Sequence, residues 1–95
     1  MTHLESLTRD YRTGFLRYLP RRSEAALTVG YELGRRAATT GTGLLDLVRA
    51  HHDVMLEVLR DTAPDELLDV VETCAELVLE VLASYDMTHR SMPGR

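Results

Sequence analysis

Few residues in this 95-residue chain are of a type that could do chemistry, and their spacing argues against an assembled active site. His51 and His52 are adjacent. Neighbouring side chains on a helix point about 100° apart, so the two imidazoles do not converge on one metal ion. A helical zinc pair needs ligands four residues apart, as in H-E-x-x-H, and the positions four away are Leu47, Met55, Val48 and Leu56. No metal site is expected. His51 is expected either to face the core with a hydrogen-bond partner or to help shape an interface, and His52 to sit at the boundary or surface. Asp69, Glu72, Glu76 and Glu80 recur at spacings of 3, 4 and 4, which places them on one helix face. Carboxylates that bind metals or move protons in bundles come from facing helices, often within E-x-x-H, which does not occur here. The row is expected to be a solvated face, part of which could meet a basic partner.

The remaining candidates are weaker. Cys74 is the single cysteine, so no internal disulfide forms. It lies among Val71, Ala75 and Val78, and Glu72, Glu76 and Glu80 are expected to raise its pKa, so it reads as a small buried hydrophobe and not a nucleophile. Thr40-Gly41-Thr42-Gly43 has neither the lysine of a phosphate-binding loop nor a strand before it. Arg21-Arg22 and Arg35-Arg36 are too few for a nucleic-acid patch in a chain of net charge −4. No catalytic residue, cofactor or nucleic-acid partner is expected. Binding is the function class that remains.

The elements that must position such a binding surface read as helices. Residues 3–19 carry Leu4, Leu7, Tyr11, Phe15 and Tyr18/Leu19 as one stripe, which Pro20 ends. Gly14 inside it costs about 1 kcal/mol relative to alanine. Residues 24–39 follow Ser23, a good N-cap, with Ala26, Gly30, Leu33/Gly34 and Ala37 at helical spacing. Two interior glycines cost about 2 kcal/mol together, so Gly30 and Gly34 predict close approach of another helix. After the loop at 39–43, residues 43–60 form a third helix capped by Thr42, with Leu44, Val48, His51, Met55 and Val58/Leu59 as its stripe. Pro64 opens a fourth helix over residues 64–89. Outside its acidic face that helix is almost wholly apolar, well beyond the roughly 100° arc that a small bundle covers. Something else must cover the surplus, either a second copy or a partner.

Charge is unevenly spread. All eleven basic residues are arginine, six of them within the first 35 positions, whereas residues 61–86 hold eight acids and no base. This polarity suits antiparallel helix packing or pairing between chains. No apolar run approaches the ~20 residues that span a bilayer. The N-terminus lacks the basic and apolar regions of a signal peptide, so a cytoplasmic location is expected.

Ser23-Glu24-x-x-Leu27, Tyr31-Glu32-Leu33-Gly34-Arg35, the Thr-Gly loop, Leu44-Leu45-Asp46-Leu47-Val48 leading into His51, and Leu79 through Met87 together resemble the N-terminal domain of RsbU-type phosphatases, over about Leu4 to Arg90. The resemblance implies an all-α, dimeric four-helix bundle related to the C-terminal domain of KaiA. It implies docking of an RsbT-like switch protein, which stimulates a PPM-type serine phosphatase and so releases a stress sigma factor. Carried over by position, the docking surface is Glu24, Thr28, Leu79 and Ala83. Arginine used to the exclusion of lysine resembles a high-GC actinobacterial relative. No phosphatase domain follows Arg95, which leaves an excised regulatory domain or a stand-alone version open.

The expectation is therefore an all-α four-helix bundle over residues 1–90, with residues 91–95 as a flexible tail or the start of a linker. It forms a homodimer and binds protein, and Gly30, Gly34, Leu82 and Tyr85 supply dimer or close-packing contacts. The alternative is a small-molecule sensor with a cavity between helices two to four.

Overall fold

The computed structural model describes residues 2–19 and 24–92, with the side chains of 24–26 excepted. It contains α1 (His3–Tyr18), α2 (Glu24–Thr39), α3 (Leu44–Arg60) and α4 (Leu67–Ser91), the last preceded by a 3-10 turn at Pro64–Glu66. No strand occurs among the described residues, and the chain is an all-α bundle. The helix break expected at Pro20, the cap expected at Ser23 and the Arg21-Arg22 pair lie outside the described residues.

A reciprocal cap starts α1. The Thr2 hydroxyl accepts from the Glu5 backbone N–H at 3.1 Å, and the Glu5 carboxylate accepts from the Thr2 N–H at 3.3 Å. The stripe then buries Tyr11, Phe15 and Tyr18 completely, with Leu7 and Leu19 packed at their edge. Gly14 lies on the same face. A Cβ there would come within 2.8 Å of Val29 Cγ1 and 2.9 Å of Leu33 Cδ1, so this glycine is the point at which α1 meets α2.

The closest pairing in the molecule is α2 against α4. Gly34 makes it possible: a Cβ there would collide with the Val81 carbonyl oxygen and lie 2.9 Å from both Ser84 Cβ and Tyr85 N. At Gly30 the approach is looser, 3.1 Å to Leu77 Cδ1 and 3.2 Å to Glu80 Cβ. The helix that the glycine pair admits is therefore α4 of the same chain. Ser84 Oγ donates to the Tyr31 carbonyl at 2.6 Å and Tyr85 OH to the Thr42 carbonyl at 2.8 Å, which fixes the register of the pair.

Two local expectations are corrected. Thr42 does not cap α3: Gly43 occupies the N-cap position without a side-chain bond, and Thr42 is turned inward at 4% exposure. The stripe expected on α3 holds over its second half, where His51 is buried and Met55, Val58 and Leu59 pack against the core, but not over its first: the buried residues there are Leu47, Ala50 and Val54, whereas Leu44 and Val48 point outward. Both rows are apolar at helical spacing, so periodicity could not choose between them. At its far end α4 runs through Ser91, two residues past the expected end.

The helices stack into a flat slab with Cα extents of 48 × 31 × 16 Å. The core joins Tyr11, Phe15 and Tyr18 of α1 to Leu33, Leu47, Val54, Leu77 and Val81 of the other helices. Among the described residues every buried side-chain polar atom has a hydrogen-bond partner. A slab this thin leaves wide faces and little interior, which bears directly on what its surfaces are for.

Candidate protein-interaction surface

The titratable groups inside the bundle are structural. Tyr11 OH and His51 Nδ1 are 2.6 Å apart, and the two rings meet edge to face with centroids 5.4 Å apart. Burial, with His52 adding to it, pushes the imidazole down to about 4, so His51 is neutral at ordinary pH, and the bond between its Nδ1 and the tyrosine hydroxyl is one between neutral groups. Burial also raises the Tyr11 phenol, with Cys74 adding to the shift. His52 is exposed. The Cys74 thiol is raised by burial, and not by the neighbouring glutamates as the sequence suggested. No group of three His, Cys, Asp or Glu side chains that could hold a metal ion occurs among the described residues.

Glu72 and Glu76 are exposed on α4, whereas Glu80 is half-buried against Gly30 of α2, so the row expected to be a solvated face is solvated only in part. Glu76 accepts a hydrogen bond from the buried Tyr18 hydroxyl at 2.8 Å, which ties the end of α1 to this helix. On the opposite flank Arg12 and Glu57 make two bonds of 2.7 Å between α1 and α3, and each holds the other in its charged form.

Between α2 and α4 lies a shallow open groove lined by Leu27, Thr28, Tyr31 and Glu80. Leu79, at 68% exposure, and Ala83, also exposed, flank Glu80 on α4. Of the four residues carried over from the resemblance, Thr28 lines this groove, and Leu79 and Ala83 are exposed on α4. Glu24 begins α2 one turn before Thr28, and its side chain lies outside the described residues. Tyr31 joins this surface without having been carried over. The signal was its place between Gly30 and Gly34: if those glycines face a neighbouring helix, the residue after Gly30 is turned about 100° from it, towards the rim.

Two further apolar rows point away from the core. On α3 these are Leu44, Leu45 and Val48, the second at 63% exposure. On α4 they are Leu67, Leu68 and Val71, with Leu68 at 72%. Leu82 and Tyr85 pack at the edge of the core in this single chain, and Gly30 and Gly34 are covered by α4. The alternative was a sensor cavity between helices two to four; of that region, the α2–α4 contact at Gly30 and Gly34 is tightly packed.

A family model described as the N-terminal domain of phosphoserine phosphatase RsbU matches residues 9–88. The chain belongs to this family. No curated protein and no solved structure matches it. The matched domain is the regulatory N-terminal domain of RsbU and not its catalytic one. No helix of the described residues is long and apolar enough to cross a membrane.

Proposed function

We propose that this RsbU N-terminal domain is a dimeric docking module. It receives an RsbT-like switch protein on the α2–α4 groove, and through that contact governs a PPM-type phosphatase and the sigma factor downstream of it. The observation that carries the docking reading is the exposure of Leu79 and Ala83 on α4 and of Thr28 and Tyr31 on α2, the two helices that pack most closely against each other. A partner that buries Leu79 gains about 1.5–3 kcal/mol from that side chain alone. The glutamates along the same helix favour a partner surface of positive sign.

Dimerisation is supported by the outward apolar rows of α3 and α4. Leaving Leu44, Leu45, Leu68 and Val71 in water forgoes several kcal/mol that a second copy recovers. Docking energy delivered to Tyr31 has a direct route along the chain, because the Tyr31 carbonyl is bonded to Ser84 and the next residue, Tyr85, is bonded to Thr42. In this reading the partner reorients the C-terminal half of α4 and whatever follows it.

The test is binding of an RsbT-type switch protein, by calorimetry, to the wild-type domain and to Leu79→Glu and Ala83→Glu. Both positions are exposed, so the helical circular dichroism should be unchanged while affinity falls at least about tenfold. Wild-type affinity in both variants contradicts the assigned surface.

A further inference from the structure

We propose that the cleft enclosed by the start of α1, the end of α2 and the α2–α3 connection binds a free α-amino acid with a branched apolar side chain. The cleft has a volume of about 270 Å³. Its apolar floor is Leu7, Leu33 and Ala37, and its polar rim is His3, Ser6, Asp10, Arg36 and Thr40. Small-ligand sites combine an apolar lining with a few convergent polar groups, and this volume lies just under the usual range of roughly 300–1,000 Å³, which suits a ligand of few heavy atoms.

The charges select the ligand class. Asp10 on α1 and Arg36 on α2 line the cleft from facing helices. They form no ion pair with each other: Asp10 is met at 3.5 Å by Arg9 on its own helix, and Glu32, one turn from Arg36, is bridged by Arg35 at 2.8 Å. A carboxylate on the ligand takes the planar fork of Arg36, its ammonium group takes Asp10, and its side chain lies on Leu7, Leu33 and Ala37. A ligand with only one of the two charges forgoes one of the two charge-assisted contacts.

The site is also wired to α4. Thr42 forms part of its wall. The Thr42 hydroxyl bonds His3 Nε2 at 2.9 Å and Thr40 Oγ1 at 3.2 Å, and its carbonyl accepts from Tyr85 OH. An occupant therefore bears on the residue that anchors the C-terminal half of α4. The proposal is independent of switch-protein docking, since it uses the opposite side of α2.

The experiment is amide NMR titration and thermal melting of the full chain with L-leucine, L-isoleucine and L-valine. Concentrations reach about 10 mM, where a millimolar Kd still gives tenfold excess ligand. The controls are isocaproate, which is leucine without its ammonium group, and isoamylamine, which is leucine without its carboxylate. The expected result is saturable shifts at Ser6, Thr40, Thr42 and Tyr85 and a raised Tm with at least one amino acid. The single-charge analogues should bind about tenfold or more weakly. Asp10→Asn and Arg36→Gln, both at the surface, should each abolish the shifts and leave the ligand-free Tm unchanged. The proposal is overturned if none of the three amino acids shifts these amides, if isocaproate or isoamylamine binds as well as leucine, or if either variant binds like the wild type.

Discussion

His51 is the residue whose protonation the fold can least tolerate. Its neutral ring is bonded to the Tyr11 hydroxyl at 2.6 Å, and burial holds its pKa at about 4 against 6.5 in an unfolded chain. Between those values the unfolded state binds more protons than the folded one, so stability falls as pH falls. The contribution is fully present above pH 6.5 and lost as pH drops to about 4. It amounts to roughly 2–3 kcal/mol, the lower figure allowing for solvent screening at the ring edge. Denaturant melts across this range should show that loss in the wild type and a flatter profile in His51→Gln. Tyr11→Phe strips the ring of its partner and should cost about 1–3 kcal/mol near neutral pH. At this scale the sequence was partly legible. His51 stood in an apolar stripe and had to find a partner, but nothing local marked that partner as Tyr11, 40 positions away. Thr42 was misread because a threonine before a helix is an ordinary cap, and only the packed structure shows its carbonyl claimed by Tyr85.

At the scale of elements, the four helices were legible because apolar residues recur at 3 and 4 and because Pro20, Pro64 and the Thr-Gly loop punctuate them. The buried side of the first two turns of α3 was not, since Leu44/Val48 and Leu47/Val54 are equally apolar rows and only tertiary packing chooses between them, whereas His51, Met55, Val58 and Leu59 do face the core as expected. The glycines of α2 signalled close approach but not its asymmetry. Gly34 faces backbone, which cannot yield, whereas Gly30 faces the Leu77 and Glu80 side chains at 3.1–3.2 Å, which can. Gly34→Ala should therefore destabilise by about 3 kcal/mol or more, through overpacking against Val81. Gly30→Ala should be close to neutral, because the helix propensity gained offsets a small repacking. Thermal melts of the two variants separate these outcomes, and equal destabilisation would contradict the α2–α4 register. The proposed docking surface belongs to the same scale: Thr28, Leu79 and Ala83 came from resemblance alone, and they lie on α2 and α4, the two helices that Gly34 lets pack closely.

For the whole molecule the governing fact is shape. A slab 16 Å thick in its Cα trace cannot bury both sides of its helices, and Leu44, Leu45, Leu68, Leu79 and Met87 are all more than half exposed. Exposed apolar rows of this kind on a small regulatory domain mark association surfaces. The excess was visible in the sequence as an apolar arc on the fourth helix too wide for one bundle. The rows on α3 were not, because they had been assigned to the core. In the proposed reading, dimerisation and docking divide the surface of α4 between them, Leu68 and Val71 towards the second copy and Leu79 and Ala83 towards the switch protein.

Sedimentation equilibrium tests the pairing most directly. At roughly tens of micromolar, where a dimer of moderate affinity is well populated, the wild-type chain should sediment at twice its own mass. The double variant Leu68→Glu/Val71→Glu should sediment as a single chain with its helical signal intact. A wild-type chain that remains monomeric throughout that range, or a double variant that pairs as tightly as the wild type, contradicts the account.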